Sequence, residues 1–500
     1  MAQAGQHSSK LGQWWHGLEQ AQQFFAVYAL LLLGSLFASI ALDFYYLAAL
    51  PVALLVLYLA VVDLKAIFLL LLFSIPLSTE LFLPNGFALE VPTEPFMVGL
   101  MLAGFLLLLR HAKEFDGRFV RHPLTLLLLL HLGWIAVSAL LSNQFVVSIK
   151  FLLAKLWYVA TFFFLASRML DGERDIKRFF WAVFLPLILT ILIITARHAS
   201  YGFTFSDVRW VLSPFYRNHV SYAAIVVLFV PFVWFVRLWY PKGSWKRRLI
   251  FWSLPLLLVA IQLSYTRAAY VGLVAAVGAY FIIQWRLTRW VVITALIAAV
   301  IGLSYMVANN RYLDYAPNYE TTISHEDFNN LLEATYQLED ISTMERLYRW
   351  VAGFNMTAAE PLFGFGPGNF YFFYKSYTVT SFTTYVSDNP ERSGIHNYYL
   401  MTLVEQGIPG LLIFLLLLFT ALTYGERIYH RAKNPRHKHI AMMAMLCIII
   451  ISVMQLINDL LETDKVGPFF FMSLAMLINI DLRERRLQRE AQAKVDAPQA

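Results

Sequence analysis

The stretch Phe24–Asp43, "FFAVYALLLLGSLFASIALD", carries one charge, at its last position. About 20 apolar residues in a row are enough to cross a bilayer as a helix. In hydrocarbon every backbone N–H and C=O needs a partner within the chain, so such a segment must be helical. Working outward, similar runs recur near 24–43, 45–63, 66–82, 95–111, 123–142, 146–167, 178–196, 219–238, 249–265, 268–285, 289–308, 396–424, 439–460 and 465–481. The composition agrees: of 500 residues, 59% are hydrophobic and 14% charged, against about 25% charged in soluble domains. The expected fold class is all-α, a polytopic transmembrane helical bundle of about 12–14 helices. Cys447, the only cysteine, lies within an apolar run, which excludes an internal disulfide and a Cys metal site. The N-terminal "MAQAGQHSSKLGQWWHGLEQAQQ" is too long and polar for a cleaved signal peptide, so the first apolar run is expected to remain as an anchor.

The loops between these runs fall into two classes. One set is basic: "RHAKEFDGRFVRH" (110–122), "RMLDGERDIKR" (168–178), "YPKGSWKRR" (240–248), "QWRLTR" (284–289), "GERIYHRAKNPRHKH" (425–439) and "DLRERRLQRE" (481–490). The alternate set, which includes "STELFLPNGFALEVPTEP" (78–95), "SYTRA" (264–268) and the long 309–395 segment, is poor in Lys and Arg. Lys and Arg accumulate on the cytoplasmic side. Both termini are therefore expected inside and the 309–395 loop outside, periplasmic in a Gram-negative cell. The expected division is a cytoplasmic segment 1–23, transmembrane helices 24–308, an external loop 309–395, transmembrane helices 396–481 and a basic cytoplasmic tail 482–500. The cytoplasmic loops are short and carry neither a Walker A nor a Rossmann glycine pattern. ATP and sugar nucleotides are excluded as expected substrates, and the chemistry is expected on the outer face. The basic stretches are explained by orientation, so no nucleic-acid partner is expected.

On that face the external loop begins acidic, with Asp314, Glu320, Glu326, Asp327, Glu333, Glu339, Asp340 and Glu345, consistent with a solvated surface. Leu347, Trp350, Val351 and Phe354 recur at helical spacing and predict an amphipathic helix over Met344–Ala359, ended by Pro361. "GFGPGNF" (Gly364–Phe370) predicts a tight turn. Two arginines defy the positive-inside trend. Arg217 stands beside His219 in "SPFYRNHVSYA", and Arg267 lies in a short hairpin in "IQLSYTRAAYVG". Arginine near a bilayer is costly unless it snorkels or finds an anion. Each alone fits snorkelling to lipid phosphate or pairing with the acidic loop; two of them with a histidine on one face favour an anion site. Its planar fork suits a diphosphate better than lysine. Arg346, Arg349 and Arg392 are further external cations. Lys155 lies deep in a span, where a charge marks either a functional site or a buried structural partner.

His396 and Asn397 open the run "HNYYLMTLVEQGIPG" (His396–Gly410), with Glu405 nine residues beyond the histidine. At about 100° per residue Glu405 faces away from His396 on a straight helix, and is expected to meet another helix or a backbone group freed near Gly407 and Pro409. His396 is either a proton acceptor or an interfacial cap. Asn397 and Tyr398 are placed to position the histidine or a sugar.

These segments resemble the O-antigen ligase and polymerase superfamily. "HNYYLMTLVEQGIPG" is similar to its His-Asn-x-Tyr-Leu…Glu-x-Gly…Gly signature. "SYTRAAYVG" (264–272) is similar to its Ser/Thr-Arg-Gly/Ala motif, and "ERLYRWVAGFNMTAAEPLFGFGPGNF" (345–370) to the segment before its histidine; "YRNHVSYA" (216–223) matches an upstream motif more loosely. The resemblance implies a GT-C-like bundle in the bacterial inner membrane. It implies a metal-independent glycosyltransferase without cofactor, taking a glycan from a polyprenyl (undecaprenyl) diphosphate carrier on the periplasmic face. The acceptor is lipid A–core for a ligase, another lipid-linked repeat unit for a polymerase, or a protein hydroxyl. The family's arginines fall on Arg217 and Arg267 and its histidine on His396. A transporter or flippase is the non-enzyme alternative; it predicts an internal repeat and charges at the bilayer midplane. A structural assembly component leaves the Arg–Arg–His grouping unexplained.

Overall fold

The computed structural model describes residues 19–44, 47–48, 50–82, 88–110, 116–316, 340–384, 387–389 and 393–496. Its principal helices are α1 (Gln20–Ala41), α2 (Leu50–Val62), α3 (Leu64–Ser74), α4 (Thr93–Arg110), α5 (Pro123–Leu140), α6 (Phe145–Met169), α7 (Glu173–Ser200) and α8 (His219–Val236). They continue as α9 (Trp245–Leu263), α10 (Arg267–Gln284), α11 (Thr288–Val307), α12 (Ile341–Ala359), α13 (Tyr398–Arg431), α14 (Pro435–Met454) and α15 (Gly467–Asp496). Ten helices among the described residues are long and apolar enough to cross a membrane. The chain is an all-α, integral membrane helical bundle. Chain contacts divide it into Met1–Phe68 and Leu69–Ala500, and the functional candidates lie in the second unit.

Each expected span contains a helix, with two shortened. The run read as 66–82 leaves the helix at Ser74. It passes through a 3-10 turn at Ile75–Leu77, with Pro76 inside, and then enters a strand, β1 (Thr79–Phe82). Here β1 pairs antiparallel with β2 (Ala88–Val91) and sets Glu80 opposite Glu90. The run read as 439–460 ends at Met454, and residues 455–466 form a series of turns.

The packing order follows from sequence polarity. α14, "PRHKHIAMMAMLCIIIISVM", is apolar on all sides beyond its first turn, and a helix of that kind must be enclosed. It packs against α8, α10, α13 and α15. α11 lies at the other extreme: no residue of its apolar stretch is buried within the chain, as suits a helix that faces lipid. α12 confirms the predicted amphipathic helix, but its buried stripe is Met344, Tyr348, Ala352 and Met356. Leu347, Trp350 and Val351 pack half-exposed at the edge of that cluster, because the loop beyond Pro361 folds back onto the neighbouring face.

At the basic end of the bundle a cluster of charges gathers on Asp481 and Glu484. Asp481 is fully buried and pairs with Arg431, with Arg485 at 2.8 Å and with His122 at 3.4 Å. Glu484 takes His437 at 2.5 Å and the backbone N–H of Lys433 at 3.3 Å. Burial first, then the Arg485 and Arg431 charges, lower His122 to about 4. His122 is therefore neutral at physiological pH and acts as a cap, its Nδ1 accepting from Leu124 N.

Candidate functional site

His396 sits immediately before α13, in a left-handed backbone conformation with φ of 55°. Such a conformation is uncommon for a side-chain-bearing residue and is held by its surroundings. Asn397 is the N-cap, its side chain accepting from Leu400 N at 3.0 Å. The Tyr398 N–H donates to Gln455 O at 3.0 Å, which ties the helix start to the 455–466 turns. Trp350 Nε1 donates to Ile395 O at 3.0 Å from the other side. Asp459 is pressed so close to the turn that a Cβ on Gly394 would lie 2.2 Å from its Oδ2. The result is a pair: His396 Nδ1 lies 3.5 Å from Asp459 Oδ1, with 31% and 24% of the two side chains exposed.

Sequence reading missed Asp459, because it was placed inside an expected span. The available signal was "NDLLETDK" (458–465), four charges between two apolar runs.

The break in α13 explains Glu405. Gly407 has φ of 69°, and a Cβ there would stand 2.1 Å from Leu362 O. Only glycine admits both the dihedral and the approach. The 361–370 segment lies along the opened turn: Ile408 N donates to Pro361 O, Phe365 N to Val404 O and Gly366 N to Glu405 O, at 2.8, 3.0 and 3.0 Å. The Glu405 carboxylate accepts from Gly368 N at 2.8 Å and Phe370 N at 3.1 Å. The predicted turn at Gly364–Phe370 is thus a clasp, and both Glu405 oxygens are engaged by the chain's own backbone. α5 holds the same joint, with Ser138 Oγ donating to Phe363 O at 2.5 Å and Trp134 Nε1 to Gln406 O at 2.8 Å.

The cations form a patch beside His396. Arg267, the first residue of α10, places Nη2 3.2 Å from Asp340 Oδ2. The same Asp340 oxygen already caps α12, accepting from Thr343 N and Oγ1 at 3.1 and 2.7 Å. Arg346, on the first turns of α12, donates to Ser342 Oγ at 2.9 Å. Its Nε is buried without a hydrogen-bond partner. Burial first, then the Arg267 charge, lower Arg346 to about 10, with Asp340 and Asp459 also acting on it. It remains a cation at neutral pH. Arg346 and Arg267 both bear electrostatically on the His219 ring, and Thr266 Oγ1 donates to His219 O at 3.2 Å. Arg267, Arg346 and His219 therefore share one field with the Asp459 side of the His396 pair.

Arg217 belongs to an adjoining group. Its Nη1 is 3.7 Å from Glu80 Oε1, and 68% of its side chain is exposed. Glu80 faces Glu90 across the hairpin, and burial followed by Asp464 raises Glu90 to about 7. Asp464 accepts from Ser78 Oγ at 2.6 Å and Thr93 Oγ1 at 3.2 Å. Arg217 and His219 bracket Asn218, the N-cap of α8.

Lys155 has an internal partner. Its Nζ pairs with Glu462 and donates to Tyr398 Oη at 3.1 Å, and Tyr398 Oη donates to Glu462 Oε1 at 2.8 Å. Tyr398 is thus held inside the protein by α6 and the 455–466 turns. Arg349 is committed to Glu345 at 3.1 Å. Arg392 lies outside the described residues.

No curated protein matches the chain. Residues 252–415 match the family model described as O-antigen ligase. That stretch contains Arg267, Asp340, Arg346, His396 and Glu405, and leaves out Lys155, Arg217, His219 and Asp459. That part of the chain, within a polytopic helical bundle, is therefore similar to the O-antigen ligase family.

Proposed function

We propose that this protein transfers a glycan from a polyprenyl diphosphate carrier to an acceptor hydroxyl on the periplasmic face of the inner membrane, with lipid A–core as acceptor. The observation that carries this reading is the pair of arginines: Arg267 meets the capping carboxylate Asp340, and Arg346, under the influence of both Arg267 and Asp340, also feels Asp459 of the His396 pair. A diphosphate supplies the missing negative charge, and guanidinium forks bind it through charge-assisted bonds.

In this scheme Arg267 and Arg346 bind the diphosphate, and Arg217 engages it from the hairpin side. Asp459 keeps the proton on His396 Nδ1, leaving Nε2 to accept one from the acceptor hydroxyl. The acceptor oxygen attacks the anomeric carbon as the C–O bond to phosphate breaks. The electron pair leaves on the diphosphate, the proton goes to Nε2, and the anomeric centre inverts. The energy of the bond arrives with the donor, so the cytoplasmic loops need no nucleotide site. Asn397 and Tyr398 hold the histidine in place, while Glu405 and Lys155 fix the two ends of the segment that carries it.

The test uses detergent-purified protein, a labelled lipid-linked glycan and lipid A–core. Product forms without a sealed membrane, which a transporter cannot achieve, and Arg267→Ala abolishes it with no loss of folded protein. Full transfer by that variant ends the proposal. With a second lipid-linked repeat unit as acceptor the same chemistry makes a polymerase. In a gene deletion, single repeat units left on the core indicate that alternative, and long chains stranded on the carrier indicate the ligase.

A further inference from the structure

A cavity of about 640 Å³ opens at the far end of the bundle from His396. α5 and α6 measure the separation. Ser138 near the end of α5 and Ser148 near the start of α6 both hold the 363–367 segment of the site. The cavity is lined instead by Phe119 and Val120, just before α5, and by Ser167 and Arg168 at the end of α6. At 1.5 Å per residue that is a distance of about 27 Å, close to the thickness of the hydrocarbon core. It is the end bearing the basic loops.

The lining has two characters. Arg118, Arg168, Arg483 and Arg486 supply positive charge, against Asp116, Asp171 and Glu490. Arg118 pairs with Asp116 at 2.8 Å and Arg486 with Glu490 at 2.9 Å, all four well exposed; pairs of that kind contribute little and reopen readily. Arg483 differs: its Nη1 donates to Asp171 O at 2.9 Å, and among the described residues no carboxylate stands within ion-pair distance of it. Carbonyl oxygens at the end of α6 would repel an anion, but Asn479 Nδ2 covers those of Ser167 and Leu170, at 2.7 and 3.1 Å. The remaining wall is apolar, with Phe164 and Leu482 beside Val120 and Leu487, the last two 40% and 46% exposed.

We infer that this cavity binds the phosphodiester headgroup of an anionic membrane lipid. Arg483 takes the phosphate, and the Val120–Leu487 wall takes the first methylenes of an acyl chain. A cationic pocket at the cytoplasmic boundary suits the anionic lipids of that leaflet, and an arginine at a helix end reaches the headgroup level by snorkelling. The inference is independent of the glycosyl-transfer reading.

Native mass spectrometry of the full chain in detergent tests it, with phosphatidylglycerol, phosphatidylcholine and inorganic phosphate as separate titrants. One phosphatidylglycerol is expected to bind in preference to phosphatidylcholine. Its affinity should fall at least about fivefold in Arg483→Gln and be largely kept in Arg483→Lys. Leu487→Asn weakens lipid binding alone and serves as a second probe should the glutamine variant fold poorly. Equal retention of both lipids, or undiminished phosphatidylglycerol binding in every variant, overturns the inference. So does displacement of the lipid by an equal concentration of inorganic phosphate, which marks a free-anion site. Loss of a bound acidic protein from the glutamine variant, with lipid binding unchanged, overturns it in favour of a protein partner.

Discussion

The two polar ends of the bundle use the same residue types to opposite effect. At the basic end, buried Asp481 is enclosed by Arg431, Arg485 and His122, and Glu484 by His437. Both buried carboxylates there are met by basic side chains of the chain itself. At the other end Asp340 serves Arg267 and its own helix cap at once, Arg346 keeps a buried Nε without a partner, and His396 meets Asp459 in a half-open position. A closed network holds helices in place. In the proposed reading an open one lets its guanidinium groups gain from an incoming anion.

The comparison predicts that damage at one end appears in catalysis and at the other in folding. His396→Ala should lower turnover by about 10²–10⁴-fold, the range for a general base, with melting temperature and yield unchanged. Loss of folded protein in that variant would assign His396 to structure. Asp481→Ala should do the reverse, costing about 1–3 kcal/mol because it removes the buried acceptor that ties together two part-exposed arginines from different helices. The readout is thermal unfolding in detergent, with transfer per folded molecule retained. Arg346→Ala should cost about 10²–10³-fold in turnover, as loss of one donor to developing charge does, and should leave stability intact. Wild-type turnover in this variant would exclude Arg346 from the proposed anion site.

The smallest effect expected is a pH dependence at the hairpin. Burial and Asp464 raise Glu90 from the ordinary 4.5 to about 7 in the folded protein, so the folded state binds its proton more tightly than the unfolded state. Its contribution to stability is full below pH 4.5 and is lost as pH rises through about 7. Glu90→Gln should flatten the melting temperature across that window and raise it above. An unchanged slope would show that Glu90 is not the group responsible.

Much of this was legible in the residues. Apolar run length gave the helices, alternation of Lys and Arg gave an expected orientation, and the motifs around Arg267 and His396 pointed to the end where the cation patch lies. What escaped was set by contacts between distant segments. Asp459 was read as part of a span because an apolar window tolerates one charge; only the fold shows that the helix stops at Met454 and turns the aspartate toward His396. By sequence Arg346 is one of three further external cations, with nothing to set it apart from Arg349. In the fold Arg349 pairs with Glu345, and Arg346 is left toward Arg267.

The sequence by itself determined that the chain is a many-helix membrane protein, since apolar length and backbone hydrogen-bonding demand are local properties that each segment carries alone. The tertiary structure decided which charges are answered and which are left open. Glu405 became a clasp on Gly368 and Phe370, and Lys155 a strut to Glu462 and Tyr398, because a charged group's role depends on what stands within a few ångströms of it, and only packing brings remote residues that close.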